Sequence, residues 1–331
     1  MSKSILLFSG GLDSILAAYI LKRENIRIRA LYCHTVFSSL SEKEAHDNFL
    51  RVLSPLKIPL KVVDISSKHI ELLTNNRYGY GKNLNPCIDC KIVMFKEADK
   101  YRKAIGADFL ASGEVLGERP MSQRKDIFNI IERDAHVKGL ILRPLSAKLL
   151  KPTAAEGKGL IKRDNMYSIQ GRGRRHQLAL AKEFGIKDFP TPSGGCLLTN
   201  PSFCRRLKDT ISHTPDFGIY DCELLKVGRH FRLSNSTKLI ISRNKDENIK
   251  LEMLAKKDAV KIYPLRAKGP FAMMVGRIDK SLVDNAAHIV ARYCKSKGFS
   301  LKIKIDTPGG DYIVDIDNAL DLKGKDNPSL I

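Results

Sequence analysis

The chain contains no tryptophan and few aromatic residues of any kind. Phenylalanine, tyrosine and tryptophan together make up 7% of its 331 residues. This shortage argues against a single-strand nucleic-acid binder that stacks bases on exposed rings. Long apolar runs are also missing, since no stretch approaches the ~20 residues of a membrane helix. The apolar run before the first glycines, residues 5–8, is too short for a signal peptide. We therefore expect a cytoplasmic protein without a membrane partner.

Acidic residues are scarce beside basic ones. The sequence has 36 Asp and Glu residues against 57 Lys and Arg residues, a formal net charge of +21 at pH 7. A positive potential of this size attracts polyanions, and nucleic acid is the commonest polyanion in a cytoplasm. Because the basic residues are spread along the chain, we expect a broad, folded surface that binds nucleic acid. A basic protein without a nucleic-acid partner is the alternative.

Cysteine is also infrequent, with seven copies. Since disulfides are rare in the cytosol, the expected uses are thiols, metal ligands or sulfur chemistry. Cys87 and Cys90 form a single Cys-x-x-Cys pair, in the string NPCIDCK at 85–91. A zinc ribbon needs two such pairs, so structural zinc is not expected. The pair could ligate a metal or cluster, or act as a redox pair, because a helix N-terminus lowers the pKa of a thiol.

Cys196 follows two glycines in the string PSGGCLL at 192–198 and is the best candidate for a third thiol. Three cysteine ligands would leave the fourth iron of a [4Fe–4S] cluster open to a non-protein ligand. Cys204 is a rival third ligand in a helix-like stretch. The remaining cysteines lie in apolar patterns and are expected to be small core residues: Cys33, Cys222 and Cys294.

The N-terminus carries the strongest motif. The apolar run at 5–8 leads into SGGLDS at 9–14 and then into a second apolar stretch. Glycines let the backbone turn tightly and bring N–H groups close to an anion, and the dipole of the following helix points at the same place. The Gly-Lys-Ser/Thr ending of a Walker A loop is absent. The string predicts a phosphate-binding loop; a βα turn without a ligand is the alternative.

The first 115 residues alternate strand and helix patterns. Strands are predicted at 5–8, 26–32, 60–65 and 109–112. Ser41 and Glu44 form a capping box that opens a helix. Repeated β-α-β units predict an α/β fold with a doubly wound parallel sheet, whose ligands bind at the carboxyl ends of the strands. This topology brings the 9–14 loop, the segment after residue 65 and the turn at 112–114 to one crevice.

The rest of the chain contains a basic stretch and a second folded unit. The string QGRGRRH at 170–176 precedes helical spacing and suits phosphate contacts, with a solvated loop as the alternative. A rigid loop containing Pro190, Pro192, Gly194 and Gly195 leads to Cys196. From about residue 218 onward the patterns predict a smaller α+β domain. Its elements are a hairpin at 231–242, helices at 248–256 and 281–296, and strands at 300–305 and 311–315.

Three strings together resemble one family. The SGGLDS loop, the NPCIDCK turn and the Gly-Gly-Cys at 194–196 resemble the PP-loop ATPases that act as tRNA thiouridine synthases, or tRNA sulfurtransferases. The resemblance covers residues 1–210. It implies an adenine nucleotide alpha hydrolase-like fold and a reaction in which ATP, with Mg²⁺, adenylates a uridine carbonyl in tRNA and sulfur displaces AMP. The product would be 4-thiouridine or 2-thiouridine.

The resemblance also implies roles for individual residues. The implied cofactor-binding residues are Ser9, Gly10, Gly11, Asp13, Ser14 and Gly113, and Asp13 is also implied in catalysis. In persulfide-using 2-thiouridylases an Asp occupies the position of Cys87, and the positions of Cys90 and Cys196 carry the two catalytic cysteines. Cys87 departs from that pattern and resembles the cluster-dependent enzymes, in which three cysteines hold a [4Fe–4S] cluster. The resemblance therefore favours Cys87, Cys90 and Cys196 as catalytic cluster ligands, with a persulfide relay as the alternative.

The C-terminal part resembles a second family. Short strings at 225–230, 243–248 and 269–270 are similar to the NFACT-R type of RNA-binding domain, which implies that this part helps to hold tRNA. The implied domains are a PP-loop ATPase at 1–170, a basic segment and Gly-Gly-Cys loop completing the active site at 171–217, the RNA-binding domain at 218–322 and a tail at 323–331. The RNA-binding candidates are Arg172, Arg174, Arg175, Arg229 and Arg243.

Two other classes of function stay open. A PP-loop ligase or amidase acting on a small molecule would turn over ATP without tRNA, and the charge of +21 counts against it. A non-catalytic RNA-binding module would bind tRNA without ATP and modify no base. For the thiolating enzyme, the sequence shows no rhodanese-like segment, so a separate sulfide or persulfide donor is expected. Related enzymes that dimerise also imply a homodimer.

Overall fold

The described part of the chain forms two units. A computed structural model describes residues 1–189, 195–295, 300–316 and 330–331. The chain divides into Met1–Thr199 and Asn200–Ile331. The predicted boundaries at 170 and 217 fall inside these units, and the predicted four-part division stays a prediction.

Some expectations concern residues outside these ranges. Pro190, Pro192 and Gly194 of the predicted rigid loop lie outside the described residues, as does most of the predicted tail, 323–329. Within the described ranges, no helix is long and apolar enough to cross a membrane.

The N-terminal unit is a five-stranded parallel sheet with helices. Its strands are β1 (Lys3–Leu7), β2 (Arg27–His34), β3 (Leu60–Asp64), β4 (Phe109–Ser112) and β5 (Ile141–Leu142). Its helices are α1 (Leu12–Arg23), α2 (Glu42–Leu53), α3 (Ser66–Glu71), α4 (Cys87–Ala104), α5 (Lys125–Asp134), α6 (Ala154–Gly157) and α7 (Arg175–Glu183). The strand order is β3-β2-β1-β4-β5, and every pairing is parallel.

The central strand β1 buries side chains on both faces of this sheet. Leu6 packs in a cluster with residues of α1, α2 and α7, whereas Ile5 packs in another with residues of α4 and α5. Neighbouring residues of a strand point to opposite faces, so an unbroken apolar run suits a strand covered on both sides. The predicted α/β class and doubly wound sheet are confirmed.

Helix α7 belongs to this unit although the composition changes before it. The Phe184 ring, just after α7, stacks on Tyr19 of α1 with centroids 5.8 Å apart. Leu180 and Ala181 are buried in the same cluster as α1. Packing on this shared core places α7 in the N-terminal unit.

The turn between β1 and α1 requires glycine at position 10. Gly10 has φ +75°, in the left-handed region, and a Cβ there would lie 2.0 Å from Cε1 of Phe49. Gly11 follows as the N-cap of α1 with an extended backbone. The capping box of Ser41 and Glu44 at the start of α2 is confirmed.

Gly113 allows a second close approach at the same edge of the sheet. A Cβ at Gly113 would lie 2.4 Å from the carbonyl carbon and oxygen of Asp13 and from the nitrogen of Ser14. The chain leaving β4 therefore lies directly against the backbone of the first turn of α1. Backbone atoms cannot rotate away as a flexible side chain can, so only glycine fits here.

A buried ion-pair network follows Gly113 and joins four elements. The Glu114 carboxylate accepts from Lys91 of α4 and, at 3.0 Å, from Nε of Arg143 after β5. Nη1 of Arg143 donates to Glu132 of α5 at 2.5 Å. Burial alone would raise the pKa of Glu114, but the charges of Lys91 and Arg143 lower it to about 2. The carboxylate therefore stays ionised and holds these elements together.

The C-terminal unit is a six-stranded antiparallel sheet with helices. Its helices are α8 (Pro201–His213), α9 (Ile219–Leu224), α10 (Lys245–Leu254) and α11 (Lys280–Ala291). Its strands are β6 (Arg229–Ser234), β7 (Thr237–Ile241), β8 (Val260–Pro264), β9 (Ala272–Gly276), β10 (Leu301–Thr307) and β11 (Gly310–Ile316). The strand order is β11-β10-β8-β9-β7-β6.

The predicted smaller α+β domain is confirmed in this unit. The predicted hairpin corresponds to β6 and β7, and the later helices and strands correspond to α10, α11, β10 and β11. Strands β8 and β9 go beyond the prediction. Their sequences, VKIYP and AMMVG, end in proline and glycine, and β9 is made of weak strand formers, so its pairing with β7 and β8 decides its structure.

We predict that Gly113→Ala disrupts the N-terminal unit locally. The added Cβ overlaps the backbone of Asp13 and Ser14, so α1 must shift, at a cost of roughly 1–3 kcal/mol for overpacking. Thermal unfolding should show a lower midpoint, and ATP titration should show weaker binding. Gly157→Ala is the matched control, because a Cβ there meets no atom within 4 Å. Equal behaviour of the two variants would contradict the proposed close contact.

We predict that Glu114 stabilises the fold in a pH-dependent way. Its pKa falls from 4.5 to about 2 on folding. It therefore contributes about 3 kcal/mol above pH ~4.5, and this contribution is lost as the pH falls from 4.5 towards 2. Glu114→Gln should lower the stability at pH 7 and flatten its decline below pH 4.5 in urea unfolding. Asp47→Asn, at an exposed site, is the control. A Glu114→Gln variant as stable as wild type at pH 7 would contradict the prediction.

Candidate active site

A cavity of about 290 Å³ opens at the carboxyl edge of the parallel sheet. It is lined by the ends of β1, β2 and β4, by the 9–14 loop, by α4 and by the chain after Gly113. Eight of the residues predicted from sequence line it: Ser9, Gly11, Asp13, Ser14, Cys87, Cys90, Gly113 and Cys196. Gly10 is not among the residues that line the cavity. It packs against the Phe49 ring, and its lack of a side chain allows this contact.

The 9–14 loop is held in shape by hydrogen bonds within it. The backbone N–H groups of Ser14 and Ile15 donate to the Gly11 carbonyl at 3.0 and 3.1 Å, and the Ser14 hydroxyl donates to the same oxygen at 2.8 Å. The Ser9 hydroxyl lies 3.4 Å from that of Ser14. The first N–H groups of a helix have no intrahelical acceptor, and they carry the positive end of its dipole. This geometry suits a bound phosphate group.

Asp13 and Glu118 place two carboxyl groups together in the cavity. Burial raises the pKa of Asp13, and the neighbouring charges of Arg174 and Arg119 lower it in part. Burial and the Asp13 charge raise the pKa of Glu118 to about 7. A divalent cation bound between two adjacent carboxyls that share a proton near neutral pH would displace that proton into solvent. The sequence analysis missed Glu118, because nothing in its local sequence places it beside Asp13.

The three cysteines singled out from sequence reach the cavity from two segments. Cys87 is the first residue of α4, and Cys90 lies one turn later. Cys196 pairs with Ser38 in an isolated bridge, and the neighbouring Leu197 N–H donates to the Phe37 carbonyl at 2.8 Å. The chain around Cys196 is therefore attached to the segment that follows β2. This attachment brings the Cys196 thiol to the carboxyl edge of the parallel sheet.

The expectation that a helix N-terminus lowers the pKa of the Cys87 and Cys90 thiols is wrong for this cavity. Burial raises the pKa of Cys87, and Lys91 and Arg119 offset this only in part. Burial raises the pKa of Cys90 well above its usual value, and charges on Cys196, Cys87 and Cys33 would raise it further. Desolvation raises both pKa values, so these thiols stay protonated until a ligand or cation stabilises the thiolate.

The other cysteines occupy different places. Cys33, expected in the core, is buried in the cluster with Ile5 but also lines the cavity. Cys204 and Cys222 are buried within the C-terminal unit, in α8 and α9. Cys294 is partly buried against the core of that unit.

His69 is a second cavity residue that the sequence analysis missed. Its Nδ1 lies 2.9 Å from the Thr35 hydroxyl and 3.9 Å from Sγ of Cys90. Burial lowers the pKa of His69 to about 4, so the ring is neutral at physiological pH. The local sequence does not indicate this contact, because only the packing of the N-terminal unit brings α3 and α4 together.

The donor set is compatible with an iron–sulfur cluster that has one open iron. Within the described ranges, no three His, Cys, Asp or Glu side chains are arranged to hold a single metal ion. A [4Fe–4S] cluster places each cysteine on a different iron, so its thiolates need not converge on one point. Cys87, Cys90 and Cys196 line one cavity, and a thiolate on Cys87 or Cys196 would lie close enough to Cys90 to raise its pKa.

The predicted RNA-binding arginines fall into two sets. Arg172, Arg174 and Arg175 precede or begin α7 in the N-terminal unit, and Arg174 acts electrostatically on Asp13. Arg229 and Arg243 line a separate cavity within the C-terminal unit. The sequence analysis missed Arg119, which lines the first cavity.

Comparison with known proteins identifies both parts of the chain. The family model "Thiamine biosynthesis protein (ThiI)" matches residues 1–149, and the model "NFACT protein RNA binding domain" matches residues 228–319. The tRNA-specific 2-thiouridylase MnmA of Petrotoga mobilis is 26% identical over 322 residues, which cover 90% of this chain and 82% of that protein.

Other similarities cover shorter regions. The tRNA-specific 2-thiouridylase MnmA of Sulfurimonas denitrificans is 35% identical over 122 residues, 35% of this chain and 36% of that protein. The chain thus spans little more than a third of that relative's length. A solved 4-thiouridine synthetase–RNA complex with bound ATP aligns with 56% of this chain and 52% of that chain, at 21% identity and a TM-score of 0.36, too weak a similarity to support an argument.

The ThiI match spans the parallel sheet, the 9–14 loop and the Cys87 and Cys90 side of the cavity. Residues 1–149 are thus similar to the ThiI family and residues 228–319 to the NFACT type of RNA-binding domain, and over most of its length the chain is similar to a tRNA-specific 2-thiouridylase.

Proposed function

We propose that this chain is an ATP-dependent tRNA sulfurtransferase that replaces a uridine carbonyl oxygen with sulfur. The observation that carries the proposal is one cavity lined by both the 9–14 loop and four cysteines, among them Cys87, Cys90 and Cys196. In such a site, ATP can activate the carbonyl oxygen of a uridine, and sulfur held at the cysteines can then replace that oxygen on the same carbon. The net charge of +21 and the names of the tRNA-specific relatives support RNA as the substrate.

In the first half-reaction, ATP binds with its phosphates on the 9–14 loop. Ser9, Gly10, Gly11 and Ser14 contribute hydroxyl and N–H donors, and Asp13 positions Mg²⁺. A uridine flipped out of the RNA stack places its carbonyl oxygen on the α-phosphorus. An O–P bond forms as the bond to the β-phosphate breaks, and pyrophosphate leaves. The N3 proton passes to a base, a role that we assign to Glu118.

In the second half-reaction, sulfur attacks the activated carbon and AMP leaves with the former carbonyl oxygen. The chain's own contribution is to fix the adenylated base near the thiols and to stabilise the negative charge that develops on the phosphate. Burial of Cys90 and partial burial of Cys87 limit the access of water that would otherwise hydrolyse the intermediate.

We propose Cys87, Cys90 and Cys196 as ligands of a [4Fe–4S] cluster. When bound, its open iron would supply a site for hydrosulfide. The presence of Cys rather than Asp at position 87 favours this assignment. The similarity to MnmA proteins supports the alternative, a persulfide relay between Cys90 and Cys196. We further propose a cytoplasmic homodimer that receives sulfur from a separate sulfide or persulfide donor.

The proposal predicts that the purified protein makes thiouridine in tRNA. With unmodified tRNA, ATP, Mg²⁺ and sulfide under anaerobic conditions, AMP and pyrophosphate should form only when tRNA is present. Nucleoside mass spectrometry of the digested tRNA should detect thiouridine and distinguish 4-thiouridine from 2-thiouridine. ATP turnover without tRNA would indicate a ligase or amidase for a small molecule. Tight tRNA binding without a modified base would indicate a non-catalytic RNA-binding module.

Cysteine variants test the sulfur step separately. Cys87→Ala, Cys90→Ala and Cys196→Ala should each abolish thiolation while keeping tRNA-dependent pyrophosphate release, because the phosphate-binding loop is intact. Cys222→Ala, in the core of the other unit, is the matched control and should retain activity.

The variant Cys87→Asp distinguishes the two sulfur carriers. With a cluster, this variant should lose iron, the iron–sulfur absorption band and thiolation together. With a persulfide relay, it should remain active and the wild type should work without iron. The second result would overturn the cluster assignment and leave the adenylation chemistry standing.

A further inference from the structure

A second cavity, in the C-terminal unit, is surrounded by arginine side chains. Its volume is about 350 Å³. Its lining residues are Ser202, Arg205, Arg206, Gly228, Arg229, Arg243, Leu330 and Ile331. We call it the arginine cavity. Ser202, Arg205 and Arg206 come from α8, Arg229 begins β6, and Arg243 follows β7, so three separate elements contribute a guanidinium group.

Two of the arginines are held in place by hydrogen bonds. Arg206 donates from Nε to the Leu225 carbonyl and from Nη1 to the Ser202 hydroxyl, each at 3.0 Å. Arg243 donates from Nε to the Glu247 carboxylate at 2.9 Å, and Glu247 also accepts from the Arg243 backbone N–H at 2.8 Å. Side chains fixed in this way lose little entropy when an anion binds.

The third element is positioned by an aromatic ring and a glycine. The Arg229 guanidinium lies 4.9 Å from the centroid of the Tyr293 ring. Gly228 has φ +79°, and a Cβ there would lie 2.6 Å from the Ile241 carbonyl oxygen. The chain can therefore enter β6 tightly packed against the end of β7, which brings Arg229 to the same cavity as Arg243.

The arginine cavity concentrates positive charge. None of its described lining residues is acidic, but the neighbouring Glu247 pairs with Arg243 and offsets its charge, so the excess positive charge comes from Arg205, Arg206 and Arg229. Burial lowers the pKa of Arg206, and the charges of Arg243 and Arg205 lower it further, whereas the charge of Glu247 offsets part of this shift. Like charges held together in this way repel each other, and an anion placed among them removes the repulsion.

We infer that the arginine cavity binds the phosphodiester backbone of RNA. A guanidinium group has a planar fork of donors that matches two oxygens of a phosphate, so several arginines converging on one cavity suit a phosphodiester. The unit that holds the cavity contains the domain matched to the NFACT RNA-binding type. Arg205 and Arg206 lie before the matched residues, 228–319, so the RNA-binding surface extends beyond that domain onto α8.

The inference rests on the proposed function only in taking tRNA as the RNA. Phosphate contacts position a nucleic acid without reading its sequence. The arginine cavity would therefore anchor the tRNA body and leave the choice of uridine to the N-terminal cavity. A substitution that removes an arginine from this cavity should raise the KM for tRNA and leave kcat at saturating tRNA unchanged.

The test compares two cations on one helix. Arg205 lines the cavity and Lys208, three residues later on α8, does not; both are exposed. Arg205→Ala should weaken tRNA binding roughly 5- to 10-fold and reduce the slope of log Kd against log salt by about 1. Lys208→Ala should change the affinity less than twofold. Arg205→Lys, which keeps the charge but loses the fork, should restore only part of the affinity. Circular dichroism and thermal unfolding establish that each variant is folded.

Other outcomes overturn the inference. Equal losses for Arg205→Ala and Lys208→Ala would mean that overall charge, not the cavity, holds the RNA. Arg205→Ala could also leave the tRNA affinity unchanged and abolish phosphate binding that the wild type shows. That result would identify a site for a small anion instead.

The inference and the proposed function can fail independently. If the wild type thiolates tRNA but Arg205→Ala leaves the KM for tRNA unchanged, the inference fails alone. If the wild type makes no thiouridine but Arg205→Ala still weakens tRNA binding selectively, the proposed function fails and the inference stands.

Discussion

The close approach between the chain leaving β4 and the first turn of α1 is the contact on which the candidate active site depends. Gly113 has no side chain, so its backbone can lie against Asp13 and Ser14 and hold the phosphate-binding loop at the sheet edge. The next residue, Glu114, anchors this chain to Lys91, one residue after Cys90 on α4. One short segment thus aligns the nucleotide loop with the helix that carries two of the thiols.

Burial sets the charge state of this site. Groups with fixed counter-charges, such as Glu114 between Lys91 and Arg143, stay ionised deep in the unit. Groups without them shift toward the neutral form: the pKa values of the Cys87 and Cys90 thiols rise, and that of His69 falls. In the cavity of the N-terminal unit, these thiols and His69 are therefore uncharged before a ligand binds. The arginine cavity, by contrast, carries fixed positive charge. These properties suit the N-terminal cavity to a chemical reaction and the arginine cavity to the binding of a polyanion.

Local patterns predicted much of the fold. An apolar run, two glycines and a second apolar stretch specify a strand, a loop and a helix because each depends on residues close in sequence. The same holds for the capping box of α2 and the β6–β7 hairpin. The patterns did not predict β9, whose alanine and methionines become a strand only because both of its neighbours pair with it. They also misjudged the thiol pKa values, since desolvation depends on the whole surrounding unit.

By itself the sequence determined which groups are present: the glycine-containing string SGGLDS after an apolar run, a Cys-x-x-Cys pair with a third cysteine after two glycines, and a large excess of basic residues. Only the tertiary structure decided which of these groups meet. It placed Cys196 beside Ser38, Glu118 beside Asp13, and arginines of α8 with Arg229 and Arg243. The physical reason is that these contacts join residues far apart in sequence, and packing of the cores rather than any local propensity brings such residues together.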